Sequence, residues 1–98
     1  MRKIYLEPAL EFGSRCDFTI WDVTEGQPGK KRGTITIDYA RADVRRLTSE
    51  GKDLEGCLAY YRGRIYDLVK YYISGDWEWE GGYDEAMEII VRHIHPYF

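Results

Sequence analysis

The chain has 98 residues and a mass of 11.6 kDa, which allows a single domain over residues 1–98 with one modest core. Charged residues make up 32%, and the net charge of −3 argues against general affinity for nucleic acid or anionic membranes. No apolar run approaches the ~18 residues of a membrane span, no secretory signal is apparent, and two cysteines exclude a disulfide scaffold. We therefore expect a cytoplasmic protein in which Cys16 and Cys57 are reduced.

The first part of the chain is typical of β-structure. Residues 4–6 and 10–12 favour one or two short extended pieces separated by Pro8. Strict alternation of apolar side chains predicts strands over residues 15–23 and 33–39. The intervening segment is rich in turn-forming residues, namely Gly26, Pro28, Gly29 and Gly33. The two strands are therefore predicted to form a β-hairpin with a long loop.

The middle of the chain changes to helical periodicity. Ala40, Val44 and Leu47 predict a short helix that stops at Gly51. A longer helix is predicted from a cap at Asp53 to about residue 74. Its expected core stripe, at spacings of four and three, is Leu54, Leu58, Tyr61, Ile65, Leu68 and Tyr72.

The last quarter is more ambiguous. Trp77 and Trp79 alternate with glutamates, which favours a short strand that ends at residues 81–82. Residues 84–95 fit a helix or a strand, and the acids near Asp84 with Arg92 near the end favour the helix. The predicted fold is α+β, with a small antiparallel sheet packed against two or three helices.

The order of these elements resembles a small bacterial family of uncharacterised proteins. The resemblance depends on Leu58, Arg62, Arg64 and Ile65 in the run CLAYYRGRIYDL. Upstream lie a hairpin and a short helix ending in VRRL, and the Trp77–Trp79 segment would supply the final aromatic strand. The resemblance covers roughly residues 15–80, and the tail beyond Gly82 has no counterpart in the family pattern. The resemblance implies a fold and no activity.

Surplus aromatic residues on the long helix supply the main functional hypothesis. Tyr60, Arg64 and Tyr71 fall at spacings of four and seven, about 100° away from the core stripe. Tyrosine and arginine are enriched where proteins contact one another. We expect these three residues to bind a protein partner or a second copy of the chain, as in a homodimer. The alternative is that the tyrosines only cover the sheet of their own domain.

Charge patterning suggests a second candidate. Residues 29–46 hold six basic and two acidic residues, whereas residues 76–92 hold six acidic residues and one basic residue. Lys30, Lys31 and Arg32, at the predicted tip of the hairpin loop 29–33, would contact nucleic-acid phosphates in this alternative. They are also typical of a solvated loop, and a net charge of −3 is too small for a nucleic-acid mimic.

No pattern of catalytic or metal-binding residues emerges. The sequence lacks G-x-S-x-G, P-loop, H-E-x-x-H and G-x-G-x-x-G motifs, so we expect no catalytic residues and no cofactor, and enzyme activity is improbable. His93 and His95 diverge by about 200° on a helix and so would not share a metal ion. A non-catalytic binding role is therefore expected.

Overall fold

Strands and helices follow one another in the order expected for an α+β domain. The computed structural model describes residues 1–24, 29–39 and 41–98. Its elements are β1 (Arg2–Phe12), β2 (Arg15–Asp22), β3 (Lys30–Asp38), α1 (Arg41–Ser49), α2 (Leu54–Tyr72), β4 (Trp77–Gly81) and α3 (Tyr83–Ile94), then a 3-10 turn at His95–Tyr97. The α+β class is confirmed. The predicted turn residues Gly26 and Pro28, and Ala40 at the predicted start of the short helix, lie outside the described residues.

The four strands form one mixed sheet in the order β3-β2-β1-β4. β3 runs antiparallel to β2, as expected for the predicted hairpin, and β1 also runs antiparallel to β2, on its other side. β4 lies parallel to β1, with Arg2 opposite Trp77 and Ile4 opposite Trp79. After β3, at one edge of the sheet, the chain passes through α1 and α2 and reaches β4 at the other edge, beside β1.

β1 is one continuous strand and does not break at Pro8. Pro8 lies opposite Phe18, and the register shifts between Pro8 and Leu10. A proline has no N–H to donate, so a bulge beside it lets the strand continue. β1 therefore extends to Phe12 and joins β2 through a turn in which Gly13 has φ 60°.

All three helices contribute to one core on the same face of the sheet. Ile4, Leu6, Phe18, Ile20 and Ile37 supply the sheet side of that core. Three of the predicted helical core residues, Leu58, Tyr61 and Ile65, are buried against it. The predicted core residue Tyr72 is 40% exposed, because it lies at the end of α2 over Gly33 at the edge of the sheet.

The second face of the sheet is open. Its side chains alternate with those of the core and are mostly exposed. Tyr5 lies opposite Trp21 at one end of this face, and Phe12 lies opposite Arg15 at the other. The indole N–H of Trp21 donates to Glu7 across the strands (3.4 Å).

Residues 84–94 form a helix, which confirms the favoured of the two predictions. α3 begins directly after Gly82, which has φ 81°. A Cβ at Gly82 would lie 1.6 Å from the carbonyl oxygen of Leu6, so no other residue fits there. This close approach fixes the start of α3 against β1.

Candidate protein-contact surface on helix α2

α2 is held in place by its cap and by its buried face. The carboxylate of Asp53 accepts a hydrogen bond from the N–H of Gly56 (2.8 Å), which confirms the predicted cap. Cys57, Leu58, Tyr61, Ile65 and Val69 are buried and anchor the helix on the sheet. Leu54, Tyr60 and Leu68 are half-buried beside this face, and Tyr60 is one of the three residues predicted to bind a protein.

Tyr60 is half-buried within its own domain. Its ring meets that of Tyr61 edge-on, with 5.2 Å between centroids. The guanidinium of Arg46 on α1 lies 5.3 Å from the ring centroid of Tyr60, a cation–π contact. One side of this tyrosine is therefore covered by α1.

Arg64 and Tyr71 are exposed. Tyr71 is 84% exposed, and its only ring contact among the described residues is an edge-on one with Tyr72, at 5.3 Å. Within the described ranges, no carboxylate lies within 4 Å of the Arg64 guanidinium. These two residues leave a ring and a charge open to a partner.

A fourth residue on the same side was missed by the sequence analysis. Asp67 is exposed and follows Tyr60 by seven residues and Arg64 by three. At 100° per residue, positions 60, 64, 67 and 71 fall within an arc of about 60°. We name these four residues the α2 stripe. The helical spacing of Asp67 matches that of the other three residues, but the prediction considered only aromatic and basic side chains.

The aromatic residues on the other flank of α2 pack among themselves. Tyr66 contacts Trp77 at 5.1 Å between ring centroids, Trp77 contacts Trp79 at 4.6 Å, and Trp79 stacks on Tyr83 at 5.0 Å. Lys70 lies over the ring of Tyr66. These rings link α2, β4 and α3, so their presence is explained by packing within the domain.

Lys30, Lys31 and Arg32 lie on a strand and not at a loop tip, which corrects the sequence analysis. All three belong to β3, which starts at Lys30. Lys30 and Lys31 are exposed, whereas Arg32 is half-buried and pairs with Asp22 at 3.4 Å. The nucleic-acid alternative stays a prediction, and two of its three cations remain exposed for it.

A cleft of about 450 Å³ opens where the β1–β2 turn meets the end of α3. The guanidinium of Arg92 donates twice to Glu11, both at 3.1 Å, and His93 Nε2 lies 3.0 Å from the same carboxylate. Hydrogen bonds from His93 and Arg92 hold the pKa of Glu11 below its usual value. Glu11, Arg92 and His93 are therefore engaged with one another beside the cleft, whereas the Tyr39 hydroxyl that lines it has no partner among the described residues.

Neither cysteine is activated, and no metal cluster is present in the described part of the chain. Burial raises the pKa of the Cys16 thiol to about 11, and burial also raises that of Cys57. Both thiols are therefore protonated and weakly nucleophilic near neutral pH. Over residues 1–24, 29–39 and 41–98, no three His, Cys, Asp or Glu side chains are grouped to hold a metal ion.

Comparisons with protein-family models, with curated proteins and with solved structures found no match to this chain. The resemblance to an uncharacterised bacterial family therefore stays a prediction. Among the described helices, none has the length and apolar character needed to cross a membrane.

Proposed function

We propose that this chain is a non-catalytic protein-interaction module of the cytoplasm, and that the α2 stripe is its contact surface. The observation that carries the proposal is the 84% exposure of Tyr71 on a helix that a separate, buried face anchors to the core. A tyrosine side chain that contacts only its neighbour leaves most of its area to be buried by a partner.

The composition of the stripe suits binding. Arg64 offers a planar set of donors on the same side of α2 as Tyr71, two turns earlier along the helix. Tyrosine and arginine are the residues that most often dominate contact energies. Because α2 is anchored by its buried face, the stripe is presented on a rigid element and loses little entropy on binding.

Binding is favoured over catalysis by the state of the polar groups elsewhere. In the cleft near α3, Glu11 is engaged by both Arg92 and His93. The buried Cys16 thiol is held protonated. Neither arrangement offers a free base beside a nucleophile, which an acyl- or group-transfer site requires.

Photo-crosslinking tests the proposal. A benzophenone amino acid is placed at position 71, or at position 12 as a control, in cells that express the chain. Phe12 is the matched control because it is also an exposed aromatic residue, but lies on the open sheet face. We expect adducts at position 71 that diminish when Arg64→Glu is added. Equal yields at both positions, unaffected by that change, would refute the contact surface.

A further inference from the structure

The α2 stripe has a symmetry that specifies its partner. It reads Tyr60, Arg64, Asp67 and Tyr71, with spacings of four, three and four. Reversing the stripe about the midpoint between Arg64 and Asp67 gives the same spacings. Tyr71 then takes the place of Tyr60, and Asp67 takes the place of Arg64.

We infer that the occupant of the α2 stripe is the α2 stripe of a second copy of this chain, packed antiparallel about a two-fold axis. This inference rests on the proposed function and names its partner. In an isologous contact, residue i of one copy meets residue j of the other, and j meets i. Arg64 then faces Asp67 of the second copy, twice, and Tyr60 faces Tyr71, twice.

The charges of the stripe are available for this contact. Arg64 and Asp67 are three residues apart on one helix, yet they form no ion pair within 4 Å with each other or with any other described residue. A partner lying antiparallel must present an anion to Arg64 and a cation to Asp67 about 4.5 Å apart along the axis. A second α2 stripe meets that requirement, whereas a wholly acidic or wholly basic partner would face repulsion at one of the two positions.

The rings at the two ends of the stripe complete the contact. Tyr60 and Tyr71 are separated by about 16.5 Å along α2, so each meets its counterpart without crowding the charges at the centre. Tyr60 is half-buried against the core, and Arg46 of α1 lies over its ring. Tyr71 of the second copy would pack on the part of Tyr60 that stays exposed.

The contact is small, so the dimer should be weak. Four side chains on each copy bury less than the roughly 800 Å² per partner of a standard interface, so we expect self-association only at high protein concentration. The protein is then a monomer when dilute and a dimer near about 1 mM.

Charge reversal tests the pairing directly by sedimentation of the purified full chain. Arg64→Asp and Asp67→Arg should each weaken self-association about tenfold or more, because each places like charges opposite one another. The double variant Arg64→Asp/Asp67→Arg restores opposite charges and should return to within about threefold of wild type. An equimolar mixture of the two single variants should form a heterodimer that neither forms alone.

Controls separate a lost contact from lost folding and from other surfaces. Circular dichroism confirms the fold of each variant, and Phe12→Ala on the open sheet face should leave self-association unchanged. A wild-type chain that stays monomeric at about 1 mM, or a folded double variant that is not restored, overturns the inference. If position 71 still crosslinks to a different protein, the contact surface stands and only the second copy is refuted. If it crosslinks to nothing, both fail.

Discussion

Two buried tyrosine hydroxyls lack a hydrogen-bond partner among the described residues. Tyr39 and Tyr61 are each about 1% exposed, and their rings contact each other at 5.3 Å between centroids. Burial raises the pKa of both phenols, so both stay neutral at physiological pH. The rings contribute to the core, whereas the unpaired hydroxyls oppose folding.

Removing one of these hydroxyls should therefore not harm the protein. Tyr61→Phe is expected to leave the free energy of unfolding unchanged or to raise it by up to about 1 kcal/mol, because the desolvation cost of the hydroxyl disappears. Urea denaturation measures this, with the exposed Tyr71→Phe as the matched control. A loss of more than about 1 kcal/mol in Tyr61→Phe would show that the hydroxyl has a partner after all.

Glu11 makes stability depend on pH in a defined direction. Its pKa is lowered in the folded state, first by the hydrogen bond from His93 and then by that from Arg92. A lowered pKa adds stability above the unfolded value of about 4.3, and that stability is lost as the pH falls through the folded value. Glu11→Gln should therefore unfold at lower urea than wild type at pH 7, and the gap between the two should narrow from pH 7 to pH 3. A gap of the same size at both pH values would contradict this origin.

Within the secondary-structure elements, alanine substitutions at two glycines should change stability in opposite directions. Gly82→Ala places a Cβ against the carbonyl of Leu6 at positive φ, in backbone that cannot move aside. We expect a loss of about 3 kcal/mol or more, or failure to fold. Gly63→Ala, on an exposed turn of α2 with nothing within 4 Å, should stabilise by up to about 1 kcal/mol. Thermal melts of both variants measure this, and equal effects would contradict the packing of α3 on β1.

Elements with a strong local signal could be predicted from the sequence. The alternation in β2, the Asp53 cap of α2 and the acidic start of α3 all depend on neighbours a few residues away. The parallel pairing of β4 with β1 joins residues about 75 apart, and no local pattern specifies it. The glycines that flank Lys30, Lys31 and Arg32 favour a loop at these positions. In the structure, Lys30 pairs with Asp22 across the strands, so β3 begins at Lys30.

Across the whole molecule, the helical periodicity of α2 was enough to predict part of the candidate site. The exposure of Arg64 and Tyr71 agrees with their predicted distance from the core stripe. The half-burial of Tyr60 depends on where α1 packs, which helical spacing on α2 cannot reveal. Asp67 lies on the same side of α2 as the two tyrosines, so its position in the stripe follows from helical spacing once charged residues are included.

The open sheet face is a second exposed surface with large side chains, and self-association through it is the alternative to a contact through the α2 stripe. Phe12 is 74% exposed there, and Tyr5 and Leu10 are also exposed. Its strands carry charges of both signs, including Lys3 paired with Glu78. A second copy that preferred this face would leave the α2 stripe bare.

Amide chemical shifts followed on dilution, from about 1 mM to about 10 µM, show which surface of the protein self-associates. The shifts that change with concentration should cluster at Tyr60, Arg64, Asp67 and Tyr71. Residues around Tyr5 and Phe12 should stay constant over the same range. A spectrum that does not change with concentration, or changes that map to the open sheet face, would contradict a contact through the α2 stripe.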